Sequence, residues 1–122
     1  MKESPLFSKL YDLTKWLLEH TAKFPRHERA SLGRRIDDAV LALYRQLLLA
    51  AQSRAKRSAA LESASEELEC LKLFLRLARD LQILSLKQYE FASRQVVEVG
   101  RLLGGWKRKI GREAGDDSTE MV

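Results

Sequence analysis

LESASEELECLKLFLRLA, residues 61–78, sets Leu61, Ala64, Leu68, Leu71, Leu75 and Ala78 at alternating intervals of three and four. A strand would alternate every two residues, whereas this rhythm places all six on one face of an α-helix. Leu73, Phe74, Leu77 and Leu81 add apolar surface on another sector. Glu62, Glu66, Glu67 and Glu69 fall in the first half and Lys72, Arg76 and Arg79 in the second, the order the helix macrodipole favours. The spacing predicts a helix from about Ala59 to Leu81.

The same rhythm continues outward in both directions. On the C-terminal side, Ser85-Leu86-Lys87-Gln88 has the form of a capping box, in which Ser and Gln satisfy two free amides reciprocally. Tyr89, Ala92, Val96, Val99, Leu103, Trp106 and Ile110 then carry a helix to about Ile110, with Gly104-Gly105 expected to interrupt its last turns. On the N-terminal side, Ser53–Ser58 reads as a polar connector. Before it, Leu32, Ile36, Ala39/Val40, Leu43, Leu47 and Ala50 mark a helix from about Arg26 to Arg54, with Leu41, Tyr44 and Leu48 on another sector. Gly33 inside it either admits close approach of a neighbouring helix or is a tolerated weak point. The first helix starts at Ser4-Pro5, a good N-cap followed by Pro at the first helical position. It carries Leu6, Leu10, Leu13 and Leu17, flanked by Phe7, Tyr11 and Leu18, and ends at Lys23-Phe24-Pro25 because Pro disfavours helical geometry in the residue before it.

Four amphipathic segments with short connections predict an all-α, antiparallel up-down-up-down four-helix bundle over residues 1–112. Residues 113–122 read as an acidic, flexible tail. The 122-residue length suits one domain, and 45% hydrophobic residues suffice for a core. No secretory leader or membrane span is expected. The single Cys fits a reducing cytosol and excludes an internal disulfide framework. Three of the four helices carry apolar residues on more than one sector, a surplus that predicts a homo-oligomer.

Catalytic patterns are weak. Neither His20 nor His27 has a Glu three residues before it, so the paired motifs of di-metal bundles are missing. Cys70 has no Cys or His at metal-ligand spacing and is expected in or near the core. Adjacent Asp37 and Asp38 diverge by about 100° on a helix and read as a solvated or Arg-paired face. No phosphate-cradling Gly loop is present. The expectation is a protein with no enzymatic activity, no metal and no cofactor.

Charge carries more information. All 22 Lys and Arg lie within residues 1–112 with 13 of the 17 acids, so the body is +9 and the tail lowers the chain to +5. Such a body suits a polyanion; a mixed charged surface is the plain alternative. Arg34 and Arg35 share the second helix with Arg45 and Arg54. Lys72, Arg76 and Arg79 share one face of the third, and Arg76 also has Asp80 at i,i+4. Arg94 and Arg101, seven apart, share a face of the fourth, which ends in the dense cluster Lys107, Arg108, Lys109 and Arg112. Such stripes suit a phosphate backbone but carry no sequence-reading signature. Trp106 and Tyr89 sit at core spacing, although Trp106-Lys107-Arg108 joins a ring to two charges.

Several segments resemble the accessory variability (Avd) proteins of diversity-generating retroelements. They are Lys9–Leu13 with Trp16–Leu18, Lys23–Arg26, Leu32-Gly33-Arg34-Arg35-Ile36, Leu73–Ala78, Leu84–Tyr89 and Val99-Gly100-Arg101-Leu102-Leu103-Gly104-Gly105-Trp106, covering about residues 6 to 110. The Phe-Pro-Arg turn and the Gly-Arg-Leu-Leu-Gly-Gly-Trp ending are the most specific. The chain is also similar to four-helix proteins encoded by intervening sequences of bacterial 23S ribosomal RNA genes. The Avd resemblance implies a bundle assembled as a barrel-like homopentamer in the cytoplasm of a bacterium, from a bacterial or phage gene. It implies reverse transcriptase and nucleic acid as partners, template RNA first and DNA as a further candidate, in the service of mutagenic cDNA synthesis. Arg34, Arg35, Arg76 and Arg101 match its pattern as contacts to RNA or polymerase. The face argument adds Lys72, Arg79 and Arg94, and the C-terminal cluster adds Lys107 and Arg108. The intervening-sequence resemblance implies instead a structural oligomer without a polymerase partner.

Overall fold

The computed structural model describes residues 4–121, with side chains described for residues 4–113. It is all-helical among the described residues. Helix α1 is Pro5–Thr21. Helix α2 is one rod made of Arg26–Glu28, a π-turn Arg29–Gly33 and Arg34–Gln52. Helices α3 and α4 are Arg57–Asp80 and Leu86–Met121. Each packs on its neighbour in sequence, and α4 returns to pack on α1, which closes the bundle. Thr21 meets Asp37 across the α1–α2 turn, and Lys107 meets Glu62 where α4 passes the start of α3.

The core follows the three-four rows. Leu10, Leu13 and Leu17 of α1, Ile36, Val40, Leu43 and Leu47 of α2, Leu61, Leu71 and Leu75 of α3, and Val96, Val99 and Leu103 of α4 are nearly or fully removed from water. At about 25 cal/mol per Å² of apolar surface, this burial is the main force holding the helices together. The second sectors behave differently. Phe7 joins the core, whereas Tyr11, Leu18, Leu41, Leu48, Leu73, Leu77 and Leu81 remain exposed.

The helix ends show what local chemistry does. The capping box forms as expected: Ser85 N–H donates to Gln88 Oε1 at 3.0 Å and Gln88 N–H to Ser85 Oγ at 3.1 Å. Ser4 precedes α1 with Pro5 behind it, but its side chain makes no cap hydrogen bond; its carbonyl accepts from Ser8 N–H at 3.1 Å. Helix α3 ends in a Schellman motif, with Ile83 N–H on Ala78 O at 2.8 Å and Gln82 N–H on Arg79 O at 2.9 Å. Gln82 takes the left-handed position at φ 61°, where glycine is usual.

Three expectations change. Helix α2 is not uniform: the π-turn inserts an extra residue, and from it Ser31 Oγ donates back to His27 O at 3.1 Å. Gly33 is buried there, and a Cβ on it would lie 3.2 Å from Phe24 Cδ2 and 3.4 Å from Glu28 O. The close-approach reading of Gly33 is therefore the one the structure supports. Helix α4 runs through Gly104-Gly105 and past Ile110, because a glycine only weakens a helix and no proline follows to stop it. The side chains expected to form the acidic tail lie, beyond Glu113, outside those described. Cys70 is exposed rather than in or near the core, since position 70 falls on the flank of the 68/71/75 row.

Candidate nucleic-acid interface

The π-turn delivers α2 with Arg34 and Arg35 on its outer side. With Ala30, Asp38, Leu77 and Leu81 they line a groove between α2 and α3. Both guanidinium groups are exposed, and neither makes an ion pair within 4 Å among the described residues. Arg76, next to Leu77, opens onto a second groove between α3 and α4, which it lines with Glu69, Lys72, Tyr89, Ser93 and Val97. Both grooves border α3, and each sets cations beside exposed leucines, Leu77 and Leu81 in the first and Leu73 in the second.

On α3 the cations have partners. Lys72 Nζ lies 3.1 Å from Glu69 Oε1. Asp80 is shared: Arg79 holds it at 2.8 Å and Arg76 reaches it at 4.0 Å, so the pair anticipated for Arg76 forms but is the weaker of the two. The Arg79 guanidinium also stacks over the Tyr89 ring at 4.7 Å. Its pKa is raised above the ordinary Arg value chiefly by the hydrogen bond to Asp80. All these groups are at or near the surface, where such pairs contribute little.

Helix α4 carries a row that the sequence reading saw only in part. Lys87, Arg94, Arg101 and Arg108 are all exposed and stand seven residues apart. At 1.5 Å per residue they span about 31 Å of helix. Extending the Arg94–Arg101 interval by seven in each direction would have found the other two. Arg101 is held by Glu98 in two hydrogen bonds, at 2.6 and 3.1 Å. That hydrogen bonding pulls the Glu98 pKa down and the Arg101 pKa up. Arg94 makes no ion pair within 4 Å among the described residues.

Lys107 is placed otherwise. Its ammonium lies 2.8 Å from Glu62 and donates to Ser65 Oγ at 3.1 Å, tying the end of α4 to the start of α3. The structure thus sets Arg34 and Arg35 in a groove between α2 and α3, Lys72 and Arg76 in one between α3 and α4, and Arg79 over Tyr89. Arg94, Arg101 and Arg108 are exposed along α4, and Lys107 is turned toward α3.

The remaining polar residues serve the fold. Asp37, expected on a solvated or Arg-paired face, is instead half-buried and accepts from Thr21 Oγ1 at 2.6 Å. Burial raises its pKa, the Thr21 bond partly offsets this, and Asp38 adds a like charge. His20 donates Nδ1–H to Trp16 O at 2.7 Å, and its ring stacks on Trp16 at 3.7 Å. Among the described residues no group of three or more His, Cys, Asp or Glu is arranged to hold a metal. No helix among them is long and apolar enough to cross a membrane.

Comparison with known proteins identifies a family. A family model described as bAvd-like matches residues 6–110, which takes in α2 and α3 whole, nearly all of α1, α4 as far as Ile110, and every candidate cation. Comparison with curated proteins gives no match.

Proposed function

The chain belongs to the bAvd-like family, that of the Avd proteins of diversity-generating retroelements, and from this we propose that it is a non-catalytic accessory subunit that binds the retroelement's reverse transcriptase and its template RNA. The observation that carries the reading is the family match joined to the basic face: exposed cations run from Arg34 and Arg35 across α3 to the Lys87–Arg108 row. Phosphates on such rows displace bound counterions, and the resulting affinity is large and independent of sequence. The leucines between the cations offer apolar contact to a polymerase surface. In this reading the subunit holds RNA and polymerase together in the cytoplasm and leaves the chemistry to the polymerase.

We further propose that it acts as a homopentamer. The support is that exposed apolar residues flank unlike grooves on the protomer. Tyr11 and Leu48 flank a groove between α1 and α2, whereas Leu73 and Val97 flank one between α3 and α4. Unlike patches on one protomer suit head-to-tail contacts that close into a ring.

The test is RNA binding measured against salt. The logarithm of the binding constant should fall linearly with the logarithm of salt concentration. Replacing Arg94, Arg101 and Arg108 by Ala should flatten that slope by about 2, at roughly 0.7 per phosphate contact on a single strand. The triple change of Lys72, Arg76 and Arg79 to Glu should abolish binding with helicity intact. Absent or salt-insensitive binding would overturn the RNA role. Failure to retain the reverse transcriptase of the same element would leave the structural oligomer of the intervening-sequence type. Light scattering should give about five times the 14.0 kDa chain mass, and a monomer would refute the ring.

A further inference from the structure

The end of the bundle away from the α1–α2 turn holds a pocket distinct from the basic face. The start of α1, the end of α2, the start of α3 and the late turns of α4 enclose ≈ 400 Å³, lined by Phe7, Leu102, Gly105, Trp106, Arg57 and Lys109 among others. Its lining is mostly apolar, and its two charged residues are both cations. Trp106 is half-buried, with its ring set edge-on to Phe7 at 6.4 Å. Arg57 donates Nε–H to Ala50 O at 2.6 Å and a terminal N–H to Ala51 O at 3.5 Å, which pins the guanidinium at the end of α2. Two of its five N–H donors are used in this way, and the others remain for a ligand. Lys109, on a different helix, is exposed and makes no ion pair within 4 Å among the described residues.

The surroundings repeat the charge. Arg54, Lys56, Arg108 and Arg112 lie on the same two segments, and Glu62 across the α3–α4 contact is held by Lys107. The pocket is also open for a reason packing does not supply. A Cβ on Gly105 would meet nothing nearer than the far end of the Arg108 side chain, at 3.8 Å. Glycine is a poor helix former, yet here it leaves the wall beside Trp106 bare.

We propose that this pocket takes one unstacked base of single-stranded RNA, its ring against Trp106 and its flanking phosphates on Arg57 and Lys109. An aromatic wall between two cations is the arrangement that single-strand binders use, since every base has a face to stack and every nucleotide a phosphate. The inference rests on the RNA binding proposed above and gives it a second place on the molecule.

The test uses intrinsic fluorescence. The chain has two tryptophans, so Trp16→Phe leaves Trp106 as the sole indole. A short single-stranded RNA titrated into this protein at low salt should quench its emission. An abasic strand of equal length should leave the emission unchanged and bind roughly tenfold more weakly. Gly105→Leu fills the wall, keeps every charge and does not crowd the core, so its helicity and melting should hold. Added to the Trp16→Phe protein, it should remove the quench and bring RNA affinity down to that of the abasic strand. RNA that binds without quenching, as tightly as the abasic strand and equally well to the Gly105→Leu protein, would overturn the pocket and leave the basic face standing. Failure of both strands to bind would overturn the pocket and the RNA role together.

Discussion

Replacing Gly33 by Ala puts a methyl group 3.2 Å from Phe24 Cδ2, 3.4 Å from Glu28 O and 3.7 Å from Thr21 Cβ. The first neighbour is a ring with 6% of its surface exposed, and the second is backbone; neither moves freely. Gly104→Ala makes the useful control. There the new methyl meets only Arg108 Nη1, the tip of a flexible side chain, at 3.4 Å. Both changes carry the same helix-propensity gain of about 1 kcal/mol. At Gly104 that gain should appear as stabilisation. At Gly33 crowding of about 1–3 kcal/mol opposes it, so the variant should be less stable than the parent by about 1 kcal/mol. For a chain of this size each kcal/mol shifts the melting temperature by roughly 4 °C. Thermal denaturation at matched protein concentration should therefore separate the variants by about 8 °C, Gly104→Ala above the parent and Gly33→Ala below it. Equal stabilisation by the two changes would refute the close approach of the α1–α2 turn to Gly33. It would also separate the outward placement of Arg34 and Arg35 from the packing of that turn.

Other outcomes follow from the same packing. Gln82→Gly should stabilise by about 1 kcal/mol in a denaturant titration, because the left-handed backbone costs a side-chain-bearing residue more than it costs Gly. Leu71→Ala, at a fully buried position, should cost about 2–5 kcal/mol. Leu73→Ala, at 53% exposure, should leave the protomer within about 0.5 kcal/mol while lowering the mass seen by light scattering. Asp37 has its pKa raised above 3.8 by burial, so its folded form holds the proton more tightly than its unfolded form. Its contribution is therefore favourable below pH 3.8 and is lost as pH rises through the folded pKa. Asp37→Asn keeps an acceptor for Thr21 and should gain on the parent as pH rises from below 3.8 to neutrality in paired melts; a pH-independent difference would contradict this.

Sequence alone determined whatever depends on one helix at a time. The row from Leu61 to Ala78 specifies its own buried face, because a period near 3.6 admits one solution for six apolar residues. The Ser85–Gln88 cap is equally local, and both appear in the structure as read. Lys72, Arg76 and Arg79 could be placed on a common face for the same reason, as could Arg94 and Arg101.

The tertiary structure decided what depends on neighbours. Gly33 became a contact site only when the Phe24 turn folded back on it, and Cys70 became exposed because the helices covered the flank of the row differently. Lys107 and Arg108 are adjacent and identical in charge, yet Glu62 and Ser65 of another helix claim Lys107, while Arg108 joins the outer row. Asp37 and Asp38 part in the same way, one against Thr21 and one in a groove. Periodicity fixes the azimuth of a side chain about its own helix; the rotation and register of the next helix fix what that side chain meets. The pocket at Trp106 is the extreme case, since four separate segments line it and no single window of the sequence contains it.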